Sequence, residues 1–201
     1  VAAAASAVAV VASVAEEVGS VVAVPQDVGE PAAPSRRLAR LLRHLFSSRL
    51  RTRQVFSAVV LAEIERACAE AEQRHAGEIR FAIETALPMP AIWHGVTPRE
   101  RALQVFAQLH VWDTTHNNGV LIYVLRADRA VEIIADRGIS VRVNRSEWEG
   151  ICRDVEALYR AGRYAEGSRA AVAGVGRLLA RHFPPGPAGA ANELPNQPVL
   201  L

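Results

Sequence analysis

The sequence predicts an α/β fold, a three-layer α/β/α sandwich with a small mixed β-sheet. Three observations carry this. Stretches with helical spacing of apolar residues and stretches of strand character are interspersed rather than grouped in blocks. The run "GVLIYVLR", from Gly119 to Arg126, is apolar almost throughout, as a central strand covered on both faces must be. About half of the 201 residues are hydrophobic, enough for one domain of ordinary size with tails.

Residues 1–35 read as a disordered, low-complexity leader. They hold four acids and no arginine and end in "PQDVGEPAAPS", where three prolines and small residues make a linker. The leader lacks a basic region ahead of its apolar stretch, so it is a poor signal peptide, and no apolar run reaches the ~18–20 residues of a membrane span. On those grounds a cytoplasmic or peripheral-membrane location is expected. Residues 36–53 then hold seven arginines and no acid. The chain has no lysine at all, which reads as compositional bias, so arginine alone does not signal nucleic acid.

"RRLARLLRHLFSSRL" spaces Leu38, Leu41, Leu42, Leu45 and Phe46 as a basic amphipathic helix, with Arg36, Arg37, Arg40 and Arg43 between them. Two readings stand. One is contact through residues 36–50 with an anionic membrane surface or a protein partner. The other is a helix docked on the body by its leucine stripe. A second helix runs from Ser57, a cap, to Gly77, a stop, with Val60, Ile64, Ala67, Cys68 and Ala71 inward and Glu63, Glu65, Glu70 and Glu72 solvated.

"GEIRFAIETAL" alternates, which predicts a half-buried strand with Glu78, Arg80 and Glu84 on the polar side. "PMPAIWHG" is expected to be a loop. Thr97, Pro98 and Glu100 open a helix with a capping box, and Ala102, Val105, Phe106 and Leu109 face the core. Residues 119–135 form a hairpin turning at "ADR". A helix follows with a capping box assigned to Ser146 and Glu149, and a last helix ends near Phe183. Gly174 and Gly176 in that helix point to close approach of a neighbour. Residues 185–201 read as a Pro-rich disordered tail, leaving 54–184 as the folded domain.

Several chemistries are disfavoured. There is no G-x-S-x-G elbow, no Walker or dinucleotide motif, and no Cys/His spacing for zinc. Cys68 and Cys152 fall on apolar helical faces, as two buried thiols rather than a disulfide. The body is nearly neutral and its aromatics lie on core faces, so no nucleic-acid partner is expected. One polar cluster remains. Antiparallel pairing of the hairpin brings Asp136 and Arg137 to the end where Asp113, Asn117 and Asn118 lie, and sends Asp128 to the other end. Oxygens of Asp113, Asn118 and Asp136 suit a weak divalent cation such as Ca2+, and Arg137 with Asn117 and Asn118 suits a phosphate oxyanion. The same Asn-Asn-Gly is also an ordinary turn.

"GEIRFAIE", then "RERALQVFAQLHVWDTTHNNGVLIYVLRADRAVEIIADRGI", then "W-x-x-IC" and "LLARHF" resemble the TPM domain family over roughly residues 58–183. The resemblance is similar in kind to the short bacterial branch, whose members often begin with a "RLLRHLF"-like helix. It implies a compact α/β/α sandwich. Some relatives are described as acid phosphatases or calcium binders, and others as membrane-associated assembly or repair factors. The matched positions are Asp113, Asn118, Gly119, Asp128, Arg129, Asp136 and Gly138, while "ADRGI" stands where many relatives carry Gly-Tyr-Gly. Together these imply a non-enzymatic, membrane-proximal interaction or assembly module. The alternative is a low-efficiency phosphatase with the ion on Asp113 and Asp136 and the phosphate on Arg137.

Overall fold

The computed structural model describes residues 34–185 and 192–201, so the expected leader lies outside the described residues except at its very end. The elements are α1 (Pro34–Leu45), α2 (Arg49–Val55), α3 (Ala58–Glu72), β1 (Glu78–Glu84), α4 (Met89–Trp93), α5 (Pro98–Gln108), β2 (Gly119–Leu125), β3 (Ala130–Ala135), α6 (Arg137–Ser140), α7 (Arg145–Arg160), α8 (Tyr164–His182) and β4 (Val199–Leu200). The sheet order is β3-β2-β1-β4. β1 runs parallel to β2 and to β4, and β2 pairs antiparallel with β3, so the sheet is mixed.

Each face of this sheet carries helices, which completes the α/β/α arrangement. On one face Ile79, Phe81, Ile83, Val120, Ile122 and Val124 pack with α3, α7 and α8. On the other, Ala82, Leu121, Tyr123, Leu125 and Ile134 pack with α5 and α4. The split follows strand alternation, since neighbouring residues point to opposite faces. Phe56 closes the first core against Tyr159 and Tyr164, with ring centroids at 6.3 and 5.6 Å. The two glycines of α8 are where α8 meets its neighbours. A Cβ at Gly174 would lie 3.0 Å from the Ile151 side chain, and one at Gly176 would lie 3.2 Å from Ala71 Cβ.

Ser57 and Thr97 cap α3 and α5 as their sequences imply, and the Thr97–Glu100 box is closed in both directions. Five expectations need correction. The basic stretch is two helices, α1 and α2, separated at residues 46–48. The "PMPAIWHG" segment contains the short helix α4, with Pro90 in its first turn. α7 begins two residues earlier than expected: Asn144 is its N-cap, and its amide donates to the Glu147 carboxylate at 3.2 Å. Of two overlapping x-x-x-Glu patterns the one from Asn144 to Glu147 is adopted, and Trp148 is buried. β1 is a central strand, so Glu78 and Glu84 are buried rather than solvated. Finally, residues 192–201 of the expected disordered tail follow a defined path along β1 and end in β4, while 186–191 lie outside the described residues.

Candidate functional site

The loop from the end of α5 to β2 is built by backbone turns. The Val111 amide donates to the Phe106 carbonyl at 3.1 Å, and the Asn117 amide to the Thr114 carbonyl at 3.2 Å. Asn117 has φ 52°, the left-handed region that asparagine tolerates better than most residues. The Asn118 amide donates to the Thr114 hydroxyl at 3.0 Å, which locks the turn from below.

The hairpin delivers Asp136 and Arg137 to this loop, as the pairing implies. The Asp136 amide donates to the Gly119 carbonyl at 2.9 Å, and the Gly138 amide to the Asn117 carbonyl at 3.1 Å. Arg137 Nε donates to Asn117 Oδ1 at 3.1 Å. Asp136 is 1% exposed and caps α6, with Oδ1 accepting from the Arg137 amide at 2.6 Å. Burial raises its carboxyl above the usual range, against the lowering effect of that amide and of the Arg137 charge.

Two of the three expected cation ligands, Asn118 and Asp136, leave the β2–β3 end on opposite faces by strand alternation. Register pairs Asp136 with Gly119, so its side chain shares the α5 face with Leu121 and Ile134. Asn118, one residue on, sends its Nδ2 to the Ala76 carbonyl beyond α3, on the opposite face. Asn118 Oδ1 and Asp136 Oδ2 are each buried without a hydrogen-bond partner, but alternation directs them apart. Asp113 is exposed. Among the described residues no group of three His, Cys, Asp or Glu side chains is arranged to hold a metal. Arg137 reaches the loop through its Nε bond to Asn117, and its side chain is exposed. These bonds fix α6 against the β2 turn.

Asp128, at the other end of the hairpin, has partners that no local spacing announces. Arg40 and His44 of α1 reach it at 2.8 and 3.0 Å, and Arg43 lies 3.6 Å away. His44 is buried, and its Nδ1 accepts from the Leu87 amide at 3.0 Å. An accepting Nδ1 requires the ring proton on Nε2, which faces Asp128. Burial alone would raise the Asp128 carboxyl, but bonds from His44 and Arg40 outweigh it and hold it below the usual range. Arg40 also donates to the Val96 carbonyl at 2.8 Å. So Arg40, Leu41 and His44 form the docked face of α1, and only Leu41 of the leucine stripe packs on the core.

The rest of that stripe faces out. Leu38, Leu42 and Leu45, spaced i, i+4, i+7 on one helical face, are exposed, and Phe46 is 79% exposed. Leu50 on α2 is exposed, as are Arg43, Arg49, Arg51 and Arg53. α4 packs beside α1 and exposes Met89 and Trp93, the latter at 80%. The side chains of Arg36 and Arg37 lie outside the described ones. Sequence periodicity found this helix, but it could not tell which of two adjoining apolar stripes is the docked one.

A cleft of about 280 Å³ opens beside β3, between α5 and α7. Arg99, Arg145 and Arg153 line it together with Glu132, Glu149 and Glu156, so its charge is balanced, and Arg145 and Arg153 pair with Glu149 along α7. Two of these groups cover the free edge of β3. Arg99 Nη1 donates to the Ile133 carbonyl at 2.8 Å, and Glu156 Oε1 accepts from the Val131 amide at 3.2 Å. Cys152 lines the cleft, but burial first, and Glu132 and Glu156 next, push its thiol up to about 12, outside the range of an activated nucleophile. Cys68 is also a free thiol, buried in the core.

A family model described as the TPM domain matches residues 50–178. Among solved structures, the NMR structure of BA42 protein from the psychrophilic bacterium Bizionia argentinensis is similar. It is 28% identical with a TM-score of 0.64, and the match covers 72% of this chain and 94% of that one. No curated protein sequence matches the chain.

Proposed function

The chain belongs to the TPM domain family, and from that premise we propose that it works as an interaction module seated on an anionic membrane surface through residues 36–50. The observation that supports this is the outward apolar row of Leu38, Leu42, Leu45, Phe46 and Leu50, flanked by Arg43, Arg49, Arg51 and Arg53. A soluble helix normally hides such a row. Burying one leucine or phenylalanine contributes about 1.5–3 kcal/mol, and each arginine close to an anionic leaflet adds about 1 kcal/mol. Five apolar side chains and a basic rim suit an interfacial helix lying in the plane of the headgroups. Among the described residues no helix is long and apolar enough to cross a membrane. α1 and the first residue of α2 precede the segment that the family model matches, while Leu50, Arg51 and Arg53 lie within it. The domain itself supplies the clasp at Asp128 that fixes the helix orientation.

Divalent-cation binding at Asp113, Asn118 and Asp136, and phosphatase chemistry with Arg137, are not part of this proposal.

Liposome flotation of the full chain tests the reading. Wild type is expected to float with phosphatidylserine-rich vesicles, to float less as salt rises, and to stay behind with phosphatidylcholine alone. The Leu45→Asp/Phe46→Asp variant should bind at least tenfold more weakly with an unchanged melting curve, since both side chains are exposed. A wild-type chain that ignores anionic vesicles sinks the membrane reading and turns the same surface toward a protein partner.

A further inference from the structure

Residues 192–201 complete the sheet from outside the segment that the family model covers, which ends at residue 178. They attach along the β1 edge and through contacts to Thr115 and the α5 core. Val199 and Leu200 pair in parallel with Ala82 and Ile83, and the Leu201 amide donates to the Ile83 carbonyl at 2.9 Å. Arg80 of β1 donates to the Pro195 and Gln197 carbonyls, the latter at 2.7 Å. The Leu194 amide donates to Glu78 at 3.3 Å while its side chain enters the α5 core. Upstream, Glu193 accepts from both the amide and the hydroxyl of Thr115, at 2.8 and 2.7 Å.

This is the geometry of a peptide added to a sheet edge. Main-chain bonds give attachment, while an acid, a buried leucine and an aliphatic pair give selectivity. Every one of these contacts belongs to the ten-residue segment itself. Between it and Phe183 the sequence reads "PPGPAGAA", which carries no charge and no large apolar side chain. A segment with contacts of its own and a connection of that composition is a candidate for exchange between identical chains.

We infer that the β1 edge is a peptide-accepting groove and that its occupant in trans is residues 192–201 of a second copy of this chain. The attached segment competes for the groove at an effective concentration in the millimolar range, as expected for a short connection. Exchange therefore shows itself only when the resident segment is weakened or the second copy is abundant. Because Glu193 holds Thr115, departure of the segment also leaves the Thr115 amide and hydroxyl without that acceptor.

The test uses the full chain carrying Glu193→Ala and Leu194→Asp, with a fluorescent peptide of residues 192–201 as probe. Anisotropy is expected to show the peptide binding this variant at least tenfold tighter than wild type. A peptide bearing the same two changes should bind neither. No binding to the variant at millimolar peptide, with its circular dichroism unchanged, overturns the inference, as does equal binding to both chains. Where the variant loses its circular dichroism, hydrogen exchange of the wild type decides. The Leu194 and Leu201 amides should exchange together and well ahead of Ile122 in β2. Exchange no faster than Ile122 overturns the inference.

Discussion

Replacing Gly119 with alanine is expected to destabilise the domain by more than about 4 kcal/mol, the range reserved for a specific structural fault. A Cβ there would stand 2.0 Å from the Val111 carbonyl oxygen and 3.0 Å from the Val111 side chain. No rotamer relieves a clash with backbone. Val111 is itself fixed by its bond to Phe106, and Gly119 by the Asp136 amide, so the α5–β2 loop and the hairpin would have to separate. For a domain of this size the melting temperature should fall by roughly 10 °C or more. Gly150 provides the contrast. It lies within α7 and a Cβ there meets only the Arg153 side chain at 3.9 Å, so Gly150→Ala should stabilise by about 1 kcal/mol. Thermal melts followed by circular dichroism read both changes. A Gly119→Ala domain that melts within a degree or two of wild type would show that the loop yields where the geometry says it cannot.

The second large effect lies at Glu84. Its buried carboxylate takes both arms of Arg101, at 2.8 and 3.1 Å, and the Tyr123 hydroxyl at 2.6 Å. Burial, and then the Glu84 bond, keep Tyr123 protonated far above its ordinary range. Glu84→Ala leaves a largely buried guanidinium and a buried hydroxyl without their acceptor, which costs about 3–5 kcal/mol. Removing the whole network is expected to cost less than removing its centre. The triple variant Glu84→Leu, Arg101→Met, Tyr123→Phe should therefore be more stable than Glu84→Ala alone. Urea denaturation of the two variants beside wild type measures the order. Equal stability of Glu84→Ala and wild type would mean that water replaces the carboxylate, and that the network is less dry than its burial suggests.

Glu84 also shows where sequence reading stops. Alternation in "EIRFAIE" is the same whether the polar side meets water or a second layer of helices. That layer comes from Arg101 and Tyr123, 17 and 39 residues away, so no local pattern announces it. The hairpin was legible because both its signals are local, an apolar run and a short turn, and its pairing correctly carried Asp136 and Arg137 to Asn117. Pairing alone does not say which face a side chain takes. Asn118 and Asp136, close in register, take opposite faces. β4 was illegible because two residues have no periodicity, and only the Ile83 and Ala82 backbone makes them a strand. On α1 the leucines were visible, yet the docked stripe was set by Asp128, which lies 88 residues from Arg40.

The side chains on β3 carry a consequence for how copies of this molecule assemble. With Arg99 on the Ile133 carbonyl and Glu156 on the Val131 amide, that border of the sheet is a poorer template for another chain. Among the described residues, β1 is the strand that takes up the C-terminal segment, through Ala82 and Ile83. If two copies exchanged this segment reciprocally the pair would close on itself, whereas head-to-tail exchange through the same edge would leave a segment and an edge unsatisfied at the two ends and grow without limit.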